Sequence, residues 1–450
     1  MIGDLVIGPS DDSHRTVGVV HAKTSSSGRS RKAALTRGAT LPLMISFLEA
    51  RERVIRVTGT LAAQRPAEIE GVEVSAALGR VLAQEVAADR DYPPFDRATR
   101  DGFAVRSADL AKLAAALKVI GEIKAGDTWG GGTVGMGHCV QIMTGAAVPS
   151  GADAVVMIEH TRPSNAEVVF ERAAEKGQNI VPRGSEARAG QKLLSAGQRL
   201  GYAEMALAAQ VGAVRVEVFR RPRVAILSTG DEVVAIDAQP GRFEIRNSNC
   251  VSLAAQAELA GAEPIVLGNA PDRVEDLRRM IQQGLGADAL VLSGGVSMGK
   301  YDLVETVLRE LGAEFHFDAV AIRPGRPAVF GVCRGKPVFG LPGNPVSTMV
   351  TFELIVVPAI DVLSGTAARP LPLFRAKLAK VVKQKAALTH FLPGRVSWDT
   401  GEAVVEELPW QGSGDIVALG QANCFLVVRE SRLEMAAGEW CEMLPRRRML

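Results

Sequence analysis

Acidic side chains follow three apolar, strand-like segments in the second half of this 450-residue chain. The segments AILS, PIVLG and LVLS have the composition of buried strands, and carboxylates come shortly after each of them. Because the carboxyl ends of parallel strands meet at one edge of a sheet, these side chains are expected to lie close together. The acidic set is Asp231 and Glu232 after AILS, Asp272 after PIVLG, and Asp302 after LVLS.

Two glycine-containing turns are expected at the same edge, one after LVLS and one after the strand VFG. Backbone N–H groups at such turns and at helix N-termini bind phosphate, and Mg²⁺ prefers a few carboxylates together with phosphate oxygens. The pattern therefore predicts Mg²⁺, held by the four carboxylates, beside a phosphoanhydride. No nucleophile–His–Asp set is visible, which favours phosphoanhydride chemistry over acyl transfer. The turn residues are Gly294, Gly295 and Ser297, then Pro342, Gly343, Asn344 and Pro345.

Each of these residues also has a purely structural interpretation. Asp302 precedes a helical pattern with Glu305 three positions later, which is a good N-cap by itself. Asn344 followed by Pro345 is equally typical of a helix start, and Asp231 could cap a turn. The placement of all four strand ends at one edge favours a site over four separate caps.

The stretch from Gly294 to Lys300 fits G-x-x-x-x-G-K, the spacing of a nucleotide-binding P-loop. A P-loop needs Ser or Thr at the next position, for Mg²⁺, and this chain has Tyr301. Lys300 falls just before the expected helix, where exposure to solvent is the simpler interpretation. A P-loop ATPase is therefore not predicted.

The pattern of apolar residues predicts an α/β multidomain protein. Short apolar strands alternate with helical periods over 222–371, as in a doubly wound, mostly parallel sheet. Short strands and glycine-rich turns predict a β insert and a small C-terminal β-domain. The expected ranges are 1–43 for a disordered extension, 44–97 with 183–221 for an N-terminal domain, 98–182 for the insert, 222–371 for the α/β domain and 372–450 for the C-terminal domain.

Composition excludes several classes of protein. A net charge of +2 implies no general nucleic-acid-binding surface, and the six histidines lack metal-ligand spacing. Five scattered cysteines without a C-x-x-C pair fit a reducing cytoplasm, and no unbroken apolar run predicts a membrane span. Residues 1–43 carry six Lys/Arg and no apolar signal core, which favours a disordered extension, or a true start at Met44, over a targeting signal.

Six segments in order resemble the molybdopterin molybdenumtransferase family, the molybdenum-insertion enzymes of molybdenum cofactor synthesis, and the C-terminal domain of gephyrin. The resemblance covers residues 44–450, and six segments in one order are very specific. The segments are DYPPFDRATRDGFAV, VQIMTGAAVPSGADAVVMIEHT, AILSTGDEV, LVLSGGVSMGKYD, RPGRPAVFG and FGLPGNPVSTM.

The resemblance implies an elongated four-domain homodimer with a molybdopterin-binding α/β domain. It implies that adenylylated molybdopterin and molybdate give molybdenum cofactor and AMP with Mg²⁺, and that partners include the molybdopterin adenylyltransferase and apo-molybdoenzymes. The four carboxylates would bind the cation and orient the anhydride, and the two turns would bind substrate. Further matching positions are Asp101, Thr144 and Glu186, which would reach the partner subunit's active site, with Ser413 and Arg395 from the C-terminal domain.

Several positions depart from the family pattern. Arg323 and Arg326 of RPGRP stand where lysine is common; arginine keeps the charge and can bind an oxyanion bidentately. Ala319 replaces a frequent second lysine, which predicts a lost anion contact. Asn247 stands where aspartate is common, and Glu186 stands where aspartate is usual. These departures are expected to change the affinity for molybdate or the catalytic rate.

Two other functions fit the same residues. An adenylyltransferase of the same pathway would share the α/β domain, although the additional β-domains argue against it. A scaffold that binds the cofactor with weak catalysis would fit the changes at Ala319 and Asn247.

Overall fold

The computed structural model describes residues 44–112, 114–295, 303–384, 388–398 and 401–446, all within the unit Pro42–Leu450. The proposed extension 1–43, and also Ser297, Lys300, Tyr301 and Asp302, lie outside the described residues. Where those four residues sit relative to the predicted site is therefore a sequence prediction only.

The first helix packs on the α/β domain rather than on the N-terminal region that follows it. Phe47, Ala50 and Val54 belong to the same buried cluster as the main sheet, because the helix presents these positions on one face. The range 44–97 drawn from the sequence includes this helix in the N-terminal domain, and that boundary stays a prediction. The elements before the insert are β1 (Met44–Ile45), α1 (Phe47–Ala63), β2 (Ile69–Glu73), β3 (Val86–Ala87) and β4 (Arg97–Ala98).

An antiparallel-rich sheet of six described strands forms the insert, in the order β8-β5-β7-β6-β10-β9. The chain enters and leaves it through the antiparallel pair β4–β11. The insert strands are β5 (Gly102–Val105), β6 (Ala115–Ile123), β7 (His138–Ile142), β8 (Ala154–Met157), β9 (Thr161–Ser164) and β10 (Glu167–Phe170). After them come β11 (Ile180–Val181), β12 (Lys192–Leu194), α2 (Tyr202–Gln210) and β13 (Arg215–Phe219), and β12 and β13 pair back with β3 and β2.

The main sheet has the order β17-β14-β18-β23-β22-β19 among the described strands. The first four strands are parallel to one another, and β22 pairs antiparallel with both β23 and β19. The chain moves from β14 to one side and then returns to the other, so the strand order switches beside β14. Its strands are β14 (Arg223–Thr229), β17 (Glu263–Ala270), β18 (Ala289–Ser293), β19 (Glu314–Phe317), β22 (Val329–Cys333) and β23 (Lys336–Leu341). Short pieces nearby are β15 (Val233–Val234), β16 (Ile245–Arg246), β20 (Ala319–Val320) and β21 (Ile322–Arg323).

Alternate residues of the buried strands face two apolar layers. Ile226 and Val291 belong to one cluster, and Leu227 and Leu292 belong to the other. Strands buried on both faces explain the continuous apolar runs that predicted a parallel sheet. The covering helices are α3 (Ser248–Ala260), α4 (Val274–Gly284), α5 (Leu303–Glu310), α6 (Pro345–Thr351) and, after a π-helical turn at Phe352–Val356, α7 (Val357–Leu363).

The helical stretch Pro345–Leu363 is long and apolar enough, by length and composition, to cross a membrane. In this fold 83% of its apolar window is buried inside the protein, as for a core helix. Glu353 and Asp361 interrupt the apolar run and are themselves buried.

The C-terminal region forms a sheet in the order β21-β26-β27-β24-β30-β28 among its described strands. Because β26 also pairs with β28, the sheet closes on itself. Its elements are β24 (Phe374–Leu378), β25 (Val382–Lys383), β26 (Thr389–Ser397), β27 (Val404–Glu407), α8 (Ile416–Gln421), β28 (Cys424–Val428), β29 (Glu434–Met435) and β30 (Trp440–Pro445).

Candidate active site

A cleft of about 700 Å³ lies at the carboxyl ends of β14, β17, β18 and β23. Its position beside β14, where the strand order switches, is where doubly wound sheets bind ligands. The structure brings several sequence-predicted residues together in the lining of this cleft: Glu232, Asp272, Gly294, Gly295, Pro342, Gly343, Asn344 and Pro345.

Three carboxylates are neighbours at the acidic end of the cleft: Glu232 and Asp272 line it, and Asp231 lies beside them outside the lining. The backbone N–H of Asp272 donates to Oδ1 of Asp231 at 3.0 Å, which ties the turn after β17 to the turn after β14. Partial desolvation, followed by repulsion from Asp231 and Glu232, raises the pKa of Asp272 above its ordinary value. A bound cation would reverse both effects, because it favours the ionised form.

The chemistry of this donor set fits Mg²⁺, which takes carboxylate oxygens and retains water and phosphate ligands. Within the described part of the chain, however, no three His, Cys, Asp or Glu side chains are arranged around one point. Asp302, the fourth predicted ligand, lies outside that part. The described carboxylates therefore supply a negative site for a cation but not a complete coordination shell.

The raised pKa of Asp272 predicts a pH dependence of cation binding. The folded protein holds this proton more tightly than the unfolded chain, so ionisation destabilises the fold as pH rises above the unperturbed 3.8. Mg²⁺ needs the ionised form, and its affinity is expected to fall as pH is lowered through the raised pKa. Calorimetric titration from about pH 7 down to about pH 4 checks this, with Asp272→Asn as the variant that should lose this dependence.

The glycine turn after β18 wraps closely around Thr229, the last residue of β14. A Cβ on Gly294 would lie 2.8 Å from the Thr229 carbonyl oxygen, and one on Gly295 would lie 2.8 Å from Thr229 Oγ1. Both glycines have positive φ, +93° and +61°, a region that other residues rarely adopt. The two glycines are needed for this close approach, and the Gly294 N–H donates to the Leu341 carbonyl at 3.1 Å.

Thr229 is a residue that the sequence-based site omitted. Its side chain lines the cleft and is 5% exposed, and its Oγ1 has no hydrogen-bond partner among the described residues. Buried hydroxyls are usually paired, and this one is covered by the Gly294–Gly295 turn, so it can donate to a bound oxyanion once the turn moves on binding. The signal in the sequence was its place at the strand end, one position before the acidic turn.

Replacing Thr229 with valine, which has the same shape, is expected to separate binding from folding. Since the hydroxyl makes no hydrogen bond in the fold, the free energy of unfolding should change by less than about 1 kcal/mol. The turnover rate or substrate affinity should fall about 10- to 100-fold, the value of one hydrogen bond to a charged group. Urea denaturation and steady-state kinetics measure the two quantities; a large loss of stability with unchanged kinetics would contradict the expectation.

The LPGNP turn is joined to the C-terminal region. Asn344 occupies the N-cap position of α6, but its side chain does not cap the helix. Its Nδ2 instead donates to Ser413 Oγ at 2.8 Å, and the Val346 N–H donates to the Ser413 carbonyl at 3.0 Å. The predicted helix start at Asn344–Pro345 is therefore confirmed, and the Asn344 side chain has a second role that joins α6 to the C-terminal region.

A second cavity of about 680 Å³ adjoins the first and shares Pro327, Pro342, Asn344 and Gly414 with it. Arg323, Arg326 and Ser413 line it. Both arginines are exposed, and the described residues contain no ion-pair partner for either guanidinium. The adjoining cavities thus have an acidic end and a basic end.

The insert residues lie elsewhere in this chain. Asp101 accepts from the Thr144 N–H at 2.6 Å and its hydroxyl at 2.7 Å, and these bonds lower the pKa of Asp101. Glu186 pairs with Arg97 at 2.8 Å. None of the three lines either cavity, so the single chain does not unite them with the carboxylates.

Three other positions are explained by their contacts. Arg395 donates to the Gln421 carbonyl at 3.2 Å and lines neither cavity. Ala319 is buried and pairs with Met44 in the β1–β20 ladder. Asn247 is a buried cap of α3: its Oδ1 accepts from the Cys250 N–H at 3.1 Å, a structural role that the sequence did not indicate.

Asn249 is a second residue that the sequence-based site omitted. Its Nδ2 donates to Ser293 Oγ at 2.8 Å and to the Gly343 carbonyl at 2.7 Å, so it links the two turns. Its buried Oδ1 has no partner among the described residues. Asn249 therefore fixes the spacing of the two turns.

Comparison with known proteins agrees with this arrangement. Residues 45–212 match the MoeA N-terminal region (domains I and II), 225–362 match a probable molybdopterin binding domain, and 375–445 match the MoeA C-terminal region (domain IV). These matches and the cleft define a multidomain protein built around a doubly wound α/β ligand-binding domain.

Individual relatives cover most of the chain. A molybdopterin molybdenumtransferase from Nostoc sp. is 39% identical over 74% of this chain and 77% of its own length. The Bacillus subtilis enzyme of the same name is 34% identical over 81% of this chain and 87% of its own. The crystal structure of a molybdopterin biosynthesis MoeA protein from Pyrococcus horikosii, 33% identical, covers 89% of this chain and 99% of its own with a TM-score of 0.68. This chain belongs to the molybdopterin molybdenumtransferase family.

Proposed function

We propose that this protein inserts molybdenum into adenylylated molybdopterin, using molybdate and Mg²⁺ and releasing AMP and molybdenum cofactor. The observation that carries the proposal is the cleft itself: carboxylates and a glycine turn line one cleft at the strand-order switch, in a chain of this family. A phosphoanhydride needs charge neutralisation and positioning more than a covalent catalyst, and this set of residues supplies both.

The residues of the two cavities would have different roles. Asp231, Glu232, Asp272 and Asp302 would hold Mg²⁺, which when bound neutralises charge on the anhydride oxygens. The turn at Gly294 and Gly295 would bind the phosphate through the Gly295 N–H, because the Gly294 N–H already donates to the Leu341 carbonyl at 3.1 Å. Asn249 keeps this turn in register with LPGNP.

The basic cavity is suited to the second substrate, a tetrahedral oxyanion. Arg323 and Arg326 present guanidinium groups without carboxylate partners among the described residues, and Ser413 adds a hydroxyl held by Asn344. Arginine binds oxyanions bidentately, so replacement of the common lysines keeps the required charge. Because the cavities adjoin, molybdate would lie beside the pterin end of the adenylylated substrate.

Two assays separate the transferase from its alternatives. An adenylyltransferase would attach AMP from ATP to free molybdopterin, whereas the transferase is expected to leave ATP unused. A scaffold would bind the adenylylated substrate without molybdate-dependent turnover. Measurement of ATP consumption and of AMP release on the same sample distinguishes all three functions.

We further propose a homodimer whose active sites combine two subunits, since Asp101, Thr144 and Glu186 line neither cavity of their own chain. Mixing inactive Asp101→Ala and Asp272→Asn subunits would then restore about a quarter of wild-type activity, because half of the dimers would contain one intact site. A strictly monomeric chain by light scattering, or no restoration after subunit exchange, would overturn this arrangement.

All five cysteines are buried without disulfides, which supports a cytoplasmic location.

A further inference from the structure

A short two-stranded element forms one side of the main cleft. β15 pairs with β16 in parallel register, with Val234 opposite Arg246. The Ile245 N–H donates to the Glu232 carbonyl at 2.8 Å, and the Asn247 N–H donates to the Val234 carbonyl at 2.9 Å. The backbone of Arg246 is thereby held from both sides and fixed to the acidic turn.

The Arg246 side chain is anchored but keeps most of its donors. Its Nε donates to the Ala238 carbonyl at 3.2 Å, and no described carboxylate forms an ion pair with it. Among the described lining residues of the main cleft it is the single cation, beside the anions Glu232 and Asp272. A guanidinium anchored through Nε can still present its two terminal nitrogens to an oxyanion.

The neighbouring Asn247 keeps this part of the cleft free of additional negative charge. It is 8% exposed, and its Oδ1 accepts from Ser228 Oγ at 2.9 Å as well as capping α3. A carboxylate could accept the same bonds, but it would place a negative charge one residue from Arg246. The neutral amide performs the capping without weakening the attraction of Arg246 for an anion.

We propose that Arg246 binds the phosphate of the nucleotide part of the substrate, and that Asn247 strengthens this contact by being neutral. The inference deepens the proposed function, because it assigns the cation that faces the adenylate phosphate. It changes the meaning of the family departure at Asn247, which from sequence alone appeared only as a lost carboxylate. The phosphate is the fitting ligand because the main cleft contains the glycine turn, whereas Arg323 and Arg326 lie in the other cavity.

AMP and adenosine are the probes that test the assignment, in calorimetric titrations of the full chain with Mg²⁺ at fixed ionic strength. Arg246→Gln is expected to weaken AMP binding about 10- to 100-fold, the range for a hydrogen bond to a charged group, and to leave adenosine binding unchanged. Arg246→Lys should recover part of the loss, because it restores charge without the fork. Asn247→Asp should weaken AMP binding in the wild-type background and have little effect when Arg246→Gln is present.

Arg242 provides a matched control on the same connection. Its guanidinium lies 5.3 Å from the ring of the exposed Phe243, and Arg242 does not line the cleft. Arg242→Gln should bind AMP like the wild type; an equal loss in both variants would show general charge attraction and overturn the assignment. If the wild type binds AMP and Arg246→Gln binds it equally, the inference fails and the proposed function stands. If the wild type binds no AMP at all, both fail.

Discussion

Replacing Asp272 with asparagine is expected to lower the turnover rate about 100-fold or more while leaving the Tm unchanged or slightly higher. The loss of rate would follow from removal of a negative oxygen from the proposed cation site at the acidic end of the cleft. The gain in stability follows from the raised pKa of Asp272, which reflects desolvation and repulsion from Asp231 and Glu232. A neutral side chain removes both the desolvation of the charge and the repulsion, so the turnover rate should fall while stability stays the same or rises.

The backbone contact of Asp272 makes this variant a clean test. Its N–H bond to Asp231 does not involve the side chain and should survive the substitution. Asp237→Asn, on the exposed connection between β15 and β16 and outside the cleft lining, is the matched control and should have wild-type kinetics. Normal turnover in Asp272→Asn, measured together with a thermal melt, would show that the carboxylate has no part in the reaction.

Replacing Asp361 with alanine is expected to lower the free energy of unfolding by about 3–5 kcal/mol. Asp361 lies in α7, is fully buried, and accepts from Arg199 Nη2 at 3.1 Å and from the Arg369 N–H at 3.0 Å. Arg199 also donates to the Gly79 carbonyl at 2.8 Å, so the carboxylate joins α7 to the N-terminal region. Its removal leaves two arginines without their buried counter-charge.

Partial exposure of both arginines places the expected loss toward the lower end of that range, because solvent screens their charge. Urea denaturation of Asp361→Ala, with Asp361→Asn beside it, measures the effect. Glu434→Gln, which breaks an exposed pair with Lys383, is the control and should cost less than about 1 kcal/mol. A loss below about 1 kcal/mol in Asp361→Ala would mean that the network contributes little to the fold.

The edge that carries the site was predictable because its signals are local. The apolar runs that became β14 and β18 are buried on both faces, and the run in β17, at the edge of the sheet, is half-buried, so each strand can be predicted from its own residues. Once the strands are parallel, their carboxyl ends must meet, and Glu232, Asp272 and the Gly294–Gly295 turn follow from chain position alone.

The remaining features depend on tertiary contacts that no local pattern contains. The Asn344–Ser413 bond joins residues far apart in the chain, and the helix-start pattern of Asn344–Pro345, although confirmed, does not indicate it. Thr229 is recognised only because its Oγ1 has no hydrogen-bond partner among the described residues. Asn249 is recognised only because its Nδ2 donates to both Ser293 and Gly343. The position of Arg246 in the same cleft lining as Glu232 and Asp272 depends on the folded structure and not on any local sequence pattern. The helical periodicity of α1 shows that one face is apolar, but it does not show whether that face packs on the main sheet or on the N-terminal region.

The most direct test of the central claim is the release of AMP from adenylylated molybdopterin, followed with and without molybdate in the presence of Mg²⁺. We expect AMP to appear in step with molybdenum cofactor when molybdate is present and to stay at background level when it is absent. Release at the same rate without molybdate, or attachment of AMP from ATP to free molybdopterin, would contradict the assignment of this protein as the molybdenum-inserting enzyme.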